Sequence, residues 1–127
     1  MIDLKQKELA EWQDRNFPRS KYDHLDREQL LDMVLLLQCA LGMAEEVGEV
    51  CHHVLKGTQG IRGGANGMNK KEIADGVADT GIFGLQLLSR LDVDAESEIS
   101  EVTEAVLSRD WKENPAGAGN GDPVQKC

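Results

Sequence analysis

The sequence predicts an all-α protein built from four helices. Apolar residues recur at helical spacing through most of the chain, and no segment sustains the alternating pattern of a β-strand. Aromatic residues make up 4% of the composition, so the core has to be aliphatic. A chain of 127 residues has room for one domain. We expect a helical domain over residues 1–113 and a flexible C-terminal tail over residues 114–127.

The first helix is predicted to begin at Asp3, whose side chain suits an N-cap, and to end near Arg15. The segment NFPRS follows, and Pro18 within it cannot continue a helix because it lacks a backbone N–H.

The second helix is predicted to run from Asp26 to about Leu55, with Gly57 as its stop signal. Between Leu30 and Ala44 it is apolar almost all round, which is typical of a helix that is buried on several sides. A domain of this size cannot cover such a helix alone. We therefore expect a helical oligomer.

A connection with five glycines follows over residues 57–69. The third helix is predicted from Lys70 to Leu91. The fourth is predicted to open at Asp94, a good N-cap followed by acidic residues in the first turn, and to reach about Trp111.

The excess of acidic over basic residues argues against some classes of binding partner. The chain has 14 basic and 23 acidic residues, which gives a net charge of −9. A protein this acidic binds nucleic acid or an anionic membrane surface poorly, and it attracts cations instead. The longest near-apolar run, MVLLLQCALGMA, is shorter than the roughly 20 residues that a bilayer requires. We expect neither a nucleic-acid nor a membrane partner.

The N-terminus is charged and amphipathic, unlike a signal peptide. The chain contains three cysteines, Cys39, Cys51 and Cys127, with no disulfide-framework spacing. An odd number of widely spaced cysteines indicates free thiols and a reducing compartment, so we expect a cytoplasmic protein.

Three carboxylates, Glu45, Glu46 and Glu49, stand close together within the segment GMAEEVGEVCHHVLKG of the second helix. At about 100° per residue they continue a line that carries Leu35 about three turns earlier and Leu31 about four turns earlier. A line led by leucines favours a face that is turned toward another helix. Taken alone, the same segment also fits an ordinary solvated patch.

The third helix carries a second acidic stripe, formed by Glu72, Asp75 and Asp79 within about 60° of arc. Taken alone, this stripe also fits the solvent face of an amphipathic helix. Two antiparallel helices joined by one loop bring both stripes into one cleft. Clustered carboxylates repel one another unless a cation relieves them, and Mg²⁺ prefers oxygen ligands. The two stripes together therefore predict a divalent-metal site.

The two acidic motifs resemble those of the MazG-like nucleoside triphosphate pyrophosphohydrolases, the all-α NTP pyrophosphatase superfamily. That family has EExxE followed by ExxD, and this chain has EEVGE followed by EIAD and a further Asp. The segments LKGTQGIRG, GVADTGIFGLQLLSRLDVD and SRDWKENP extend the likeness to phage-type and integron-type members. The resemblance covers nearly the whole chain.

The resemblance implies a four-helix MazG-like bundle assembled as a homodimer or homotetramer. It implies a Mg²⁺-dependent enzyme, with Mn²⁺ as the alternative metal, that hydrolyses nucleoside triphosphates to monophosphates and pyrophosphate. The role implied is house-cleaning of the nucleotide pool.

The second motif can be read in two registers. Glu72 and Asp75 match ExxD literally, whereas the spacing to the following LDVD favours Asp79 as the motif's Asp. In the latter register the motif's Glu falls on Gly76, and Asp75 is the substitute. We expect Glu46, Glu49 and Asp79 to be the main metal ligands, followed by Glu45 and Asp75 and then by Glu72.

Attack of water on the α-phosphorus is the expected reaction, and Glu45 or Glu46 is the candidate general base. Basic residues near the motifs are candidates for binding the polyphosphate, and one tryptophan is a candidate for stacking on the base. These candidates are Lys56, Arg62, Lys71, Arg109, Lys112 and Trp111. Each also fits a simpler role, as a solvated surface charge or as a packed aromatic side chain.

Two other functions fit parts of the sequence. EVCH, residues 49–52, is a Glu-x-x-His half-motif of di-iron carboxylate bundles. Such proteins need that motif on two helices, and here the other helices do not supply the second copy. The apolar second helix also fits a helical interaction protein without chemistry, a reading that leaves the facing carboxylates unexplained.

Overall fold

The computed structural model describes residues 5–116 and contains four α-helices: α1 Gln6–Asn16, α2 Arg27–Gln59, α3 Lys70–Arg90 and α4 Ala95–Leu107. Two short 3₁₀ helices, Arg19–Tyr22 and Arg62–Gly64, lie in the connections before α2 and α3. Within residues 5–116 there is no β-strand. The predictions of an all-α chain and of four helices are confirmed.

The chain divides into two compact units, residues 1–38 and 39–127, and α2 is one continuous helix through this boundary. The first unit contains α1, the first 3₁₀ helix and the start of α2. No residue of α1 is buried, and the ring of Trp12 meets the ring of Phe17 edge to face at 5.8 Å between centroids. The predicted start at Asp3 and most of the predicted tail lie outside the described residues.

Side-chain caps fix the first turns of three helices. At the start of α2, Asp26 Oδ1 accepts a hydrogen bond from the backbone N–H of Gln29, and Gln29 Oε1 accepts one from the N–H of Asp26. This reciprocal pair is a capping box. Asn69 caps α3, and Asp94 Oδ2 caps α4 by accepting from the N–H of Ser97 at 2.9 Å. The predicted N-cap at Asp94 is confirmed.

The C-terminus of α2 lies beyond the predicted stop. The helix continues through Gly57 to Gln59 and ends where Gly60 adopts a φ of +66°. Gly57 has a different role, because a Cβ there would lie 2.6 Å from the side chain of Met68. Although α2 has 33 residues, no helix among the described residues is long and apolar enough to cross a membrane.

The last helix is shorter than predicted. α4 ends at Leu107, and Trp111 lies in a turn after it instead of in the helix. Asp110 organises this turn, because its Oδ1 accepts hydrogen bonds from the backbone N–H groups of Lys112 and Glu113 at 2.9 and 3.1 Å. A side chain that binds the following N–H groups competes with continuation of the helix.

Residues 5–116 of one chain do not bury a large aliphatic core. Among the described residues, Cys39 is the one buried apolar side chain, and no large side chain is fully buried. Leu37 and Leu41 of α2 are 60% and 69% exposed. The physical reason is that apolar residues occur on all sides of α2, whereas its contact with α3 covers one side.

We predict that Gly64→Ala destabilises the protein and that Gly63→Ala, one residue earlier in the same turn, does not. A Cβ at Gly64 would lie 2.2 Å from the backbone carbonyl of Lys56, which cannot move aside without disturbing α2. A Cβ at Gly63 meets nothing within 4 Å. We expect Gly64→Ala to cost about 1–3 kcal/mol and Gly63→Ala to be neutral or to add up to about 1 kcal/mol. Urea denaturation of the two variants measures the difference, and equal stabilities would contradict the fold-back of this turn onto α2.

Candidate functional site

The carboxylates of the two predicted stripes lie on two helices that pack against each other in antiparallel directions. Toward the start of the pair, a Cβ at Gly42 of α2 would lie 2.5 Å from the ring of Phe83 of α3. The second contact lies up to two turns further along α2 and involves Gly76 of α3. A Cβ at Gly76 would lie 2.8 Å from Cγ2 of Val50 and 3.5 Å from the carbonyl oxygen of Glu46, both on α2. Residues with higher numbers on α2 therefore contact residues with lower numbers on α3. The two helices are antiparallel, as expected for neighbours joined by a single connection.

These contacts fix the side of the helix pair on which the carboxylates lie. The residues of α2 that contact α3 form a line along the helix, which we call the contact line. At about 100° per residue, Glu45 and Glu49 lie about 60–100° to one side of this line. Asp75 and Asp79 are displaced by about 50–90° in the same sense from the contact line on α3. Because the two helices are antiparallel, equal senses of rotation lead to the same side of the pair. Both stripes therefore border one groove.

Glu46 lies where α2 contacts α3, beside this groove, and is half-buried, whereas Glu45, Glu49 and Asp79 are exposed. Partial burial raises the pKa of Glu46 above its ordinary value, and the negative charges of Asp79, Glu49 and Glu45 raise that pKa further. Each of these causes disfavours the ionised form of a carboxyl group. Charges from both helices therefore act on Glu46.

The other two predicted carboxylates have different surroundings. Asp75 forms an ion pair with Lys71 one turn earlier on α3. The hydrogen bond to Asp75, together with the charges of Asp75 and Glu72, raises the pKa of Lys71. Glu72 is exposed, and its backbone N–H donates to the capping side chain of Asn69 at 3.3 Å. Within this structure, Asp79 is the third-helix residue that acts on Glu46, and Asp75 is engaged with a lysine.

The predicted phosphate-binding residues beyond Lys71 occupy the ends of the helices. Lys56 donates from Nζ to Oε1 of Gln59 at 3.2 Å near the end of α2. Arg62 adopts a φ of 54° in the 3₁₀ helix of the glycine-rich connection. After α4, the guanidinium of Arg109 lies 5.9 Å from the ring centroid of Trp111. Trp111 is 57% exposed.

The carboxylates are not arranged as a finished metal cage. Within residues 5–116, no group of three or more His, Cys, Asp or Glu side chains is placed so that it could hold a metal ion. The donor chemistry nevertheless fits Mg²⁺, which takes carboxylate oxygens, keeps several waters and is usually bound with the substrate's phosphates. Glu45, Glu46, Glu49 and Asp79 carry such oxygens, and a bound cation would relieve the repulsion that acts on Glu46.

The histidines near the acidic motif do not complete a di-iron arrangement in the described part of the chain. His52 and His53 follow each other on α2, and their rings are 5.4 Å apart in an edge-on contact. They lie on one helix, whereas the di-iron motif requires a Glu-x-x-His segment on each of two helices.

Two features of the groove were not predicted. The first is the contact at Gly42, where the ring of Phe83 lies 2.5 Å from the position that a Cβ would take. The second is the pairing of Asp75 with Lys71. The four-residue spacing of Lys71 and Asp75 signals such a pair in any helix. Nothing in a single sequence says that Phe83 fits Gly42, because that contact depends on the register of the two helices.

Comparisons of the chain with protein-family models, with curated proteins and with solved structures found no match. The functional assignment therefore depends on the residues of this chain and on their geometry.

We predict that Asp79→Asn raises the melting temperature at pH 7 in the presence of a chelator. The native pKa of Glu46 is raised, so ionised Glu46 destabilises the fold at neutral pH, and removal of the Asp79 charge reduces this repulsion. As the pH falls through the raised pKa, native Glu46 takes up a proton, and the gain should shrink and vanish below the ordinary value of 4.5.

Scanning calorimetry at pH 7 and at about pH 3.5, below that ordinary pKa, measures both parts of this prediction. Asp23→Asn, an exposed aspartate in the connection before α2, is the control that changes the same net charge outside the groove. If both variants shift the melting temperature equally, Asp79 and Glu46 do not interact.

Proposed function

We propose that the protein is a Mg²⁺-dependent nucleoside triphosphate pyrophosphohydrolase. The observation that carries this proposal is the effect of Asp79 on α3, together with Glu45 and Glu49 on α2, in raising the pKa of the half-buried Glu46. Carboxylates from two helices that act on one another favour a site for divalent cations over two separate solvated faces. The likeness of EEVGE and EIAD to the MazG-like motifs supports the choice of nucleoside triphosphates as substrates.

Glu45, Glu46, Glu49 and Asp79 would hold the metal, and Mn²⁺ is the alternative ion. Bound divalent metal neutralises charge on the triphosphate and lowers the pKa of bound water. Asp75 and Glu72 border the same groove, and we assign them a secondary part because Asp75 is paired with Lys71.

The proposed reaction is hydrolysis at the α-phosphorus. Water forms a bond to that phosphorus, the bond from it to the oxygen that bridges to the β-phosphorus breaks, and pyrophosphate leaves with this oxygen. One carboxylate, Glu45 or Glu46, accepts the proton of the attacking water. The products are a nucleoside monophosphate and pyrophosphate, which suits a role in clearing surplus or aberrant nucleotides.

Cationic side chains around the groove would bind the leaving pyrophosphate and keep the triphosphate extended. Lys71 stands closest in sequence to the acidic residues of α3, and its ammonium already faces the groove's carboxylates through Asp75. Lys56, Arg62, Arg109 and Lys112 are the further candidates. The exposed ring of Trp111 is the candidate platform for the base, since aromatic rings stack on any nucleobase.

We also infer a homo-oligomer, a dimer or a tetramer. The support is the absence of any fully buried large side chain among residues 5–116 and the exposure of leucines on α2. Stable domains bury such residues, so we assign their cover to another copy of the chain. Cys39 and Cys51 are free thiols, which fits the proposed cytoplasmic location.

The proposal predicts that the protein converts deoxynucleoside triphosphates to monophosphates and pyrophosphate when Mg²⁺ is present. Incubation with a panel of dNTPs and separation of the products on an ion-exchange column measures this. Glu49→Gln and Asp79→Asn should each reduce the rate by at least about 100-fold. Glu28→Gln, an exposed glutamate in the first turn of α2, is the control and should retain the rate. Release of orthophosphate from the γ position, or no turnover, would contradict the assignment.

A second prediction concerns binding without turnover. Mg²⁺ at millimolar concentration should raise the melting temperature of the wild-type protein, because an ion that binds the folded state alone stabilises it by mass action. The increase should be smaller for Glu49→Gln and unchanged for Glu28→Gln. Equal increases in all three proteins would indicate scattered surface carboxylates without a shared ion.

A further inference from the structure

The contacts between α2 and the segment that returns along it set the level of each side chain in the groove. Gly42 lies against the ring of Phe83 at one end of the pair, and Gly57 lies against Met68, just before α3, at the other end. Between these two contacts the residue number falls along the returning segment as fast as it rises along α2. Each position of α2 therefore has one position of α3 at its own level.

Two lysines lie at the end of the groove nearest to the glycine-rich connection. Lys56 is half-buried near the end of α2, and Lys71 is exposed in the first turn of α3. At about 100° per residue, they lie about 80° and about 130° from the contact lines of their helices, on the side of the groove. Asp79 and Glu46, on which the charge of Asp79 acts, lie about two to three turns away. The groove therefore has lysines at one end and interacting carboxylates toward the other.

Asp75 lies between these two ends, one helical turn from Lys71 and one from Asp79 on α3. Its carboxylate accepts a hydrogen bond from Nζ of Lys71, and the two side chains form an ion pair. Asp75 borders the groove, where its charge would otherwise be open to a cation. Lys71 therefore occupies one of the carboxylates that the proposed metal site would use.

The ion pair between Lys71 and Asp75 can be exchanged for stronger partners. Both side chains are exposed to solvent, and an exposed ion pair contributes little to stability because water and salt screen it. The terminal phosphate of a triphosphate carries more negative charge than a carboxylate, so it attracts an ammonium group more strongly. A divalent cation likewise attracts a carboxylate more strongly than an ammonium group does. A nucleotide bound with its metal thus offers a stronger partner to each member of the pair.

We propose that Lys71 is a positioning residue that holds Asp75 until a triphosphate binds in the groove. Lys71 then gives up Asp75 for a phosphate group of the substrate, and Asp75 joins the carboxylates Glu46, Glu49 and Asp79 at the metal site. This inference rests on the proposed function, because it names the residue that links substrate binding to the completion of the metal site.

The exchange makes the binding of metal and of nucleotide cooperative. Without nucleotide, Lys71 competes with the metal ion for Asp75 and weakens metal binding. With nucleotide bound, the phosphate removes this competitor. Because linkage is reciprocal, a bound metal ion also frees Lys71 for the phosphate.

Calorimetric titration of the full-length protein with Mg²⁺, without nucleotide, tests the competition. Lys71→Met removes the ammonium group and keeps a long side chain that favours a helix. It should bind Mg²⁺ about fivefold more tightly than the wild type, at the low end of couplings between sites. Lys70→Met is the matched control, because it removes the same charge from the neighbouring position, about 130° from the contact line on the side away from the groove. Its affinity should stay close to that of the wild type at about 0.15 M salt, where distant charges are screened.

A double-mutant cycle separates the competition at Asp75 from a general effect of charge. In an Asp75→Asn background, Lys71→Met should no longer tighten Mg²⁺ binding, because the carboxylate for which lysine and metal compete is gone. Equal Mg²⁺ affinities of the wild type and Lys71→Met would overturn the proposal. A gain that persists in the Asp75→Asn background would overturn it as well.

Steady-state kinetics with a dNTP at saturating Mg²⁺ test the other half of the exchange. Lys71→Met should raise KM by at least about fivefold and leave kcat nearly unchanged, because the lysine binds a phosphate and takes no part in the reaction. Lys71→Arg keeps a cation at this position and should keep KM close to the wild-type value. An unchanged KM for Lys71→Met would overturn the proposal.

The two kinds of measurement distinguish failure of this inference from failure of the proposed function. A wild type that turns over dNTPs, together with equal Mg²⁺ affinities in the titrations, would overturn the role of Lys71 alone. A wild type without turnover would contradict the proposed reaction, and the titrations would still decide whether Lys71 and Mg²⁺ compete for Asp75. Absence of Mg²⁺ binding in every variant would overturn both.

Discussion

Where α2 and α3 meet, the lack of a side chain at Gly76 lets the backbone of α3 approach Val50 and the carbonyl oxygen of Glu46. This close approach sets the register between the two acidic motifs. A larger residue at Gly76 would push α3 away from α2, and the carboxylates on the two helices would then act on one another more weakly. The ring of Phe83 against Gly42 fixes the same register at the other end of the contact.

The charge that this register concentrates is unfavourable for the isolated chain. Glu46 is half-buried beside three other carboxylates, and its raised pKa records the penalty. Stability alone would favour a neutral residue at position 46. The chain relieves part of the charge itself through the Lys71–Asp75 pair, but that pair lies on α3 and its side chains are exposed. A cation from outside the chain would relieve the remaining repulsion at Glu46, which is the physical basis of the proposed metal site.

Features with a local cause were predictable from the sequence. The N-cap at Asp94, the limits of α3 and the arc shared by Glu72, Asp75 and Asp79 follow from helix geometry and capping chemistry. Features that depend on a contact with a residue distant in the sequence were not predictable. Gly57 was predicted to stop α2, yet it serves the contact with Met68. Composition predicted that the core is aliphatic, but it does not say which apolar side chains their own chain covers, and few of them are buried among the described residues. The identity of the substrate stays a prediction from the likeness to MazG-like motifs.

The most direct measurement of the central claim is the anomalous scattering of a crystal of the protein soaked in Mn²⁺, which substitutes for Mg²⁺ at oxygen sites. The account predicts an anomalous peak in the groove between α2 and α3, within coordination distance of carboxylate oxygens from both helices, with Glu46, Glu49 and Asp79 among them. Carboxylates that fan out into solvent with no peak between the helices would contradict it. A peak on one helix alone would contradict it equally, because the claim is that the two acidic motifs form one site.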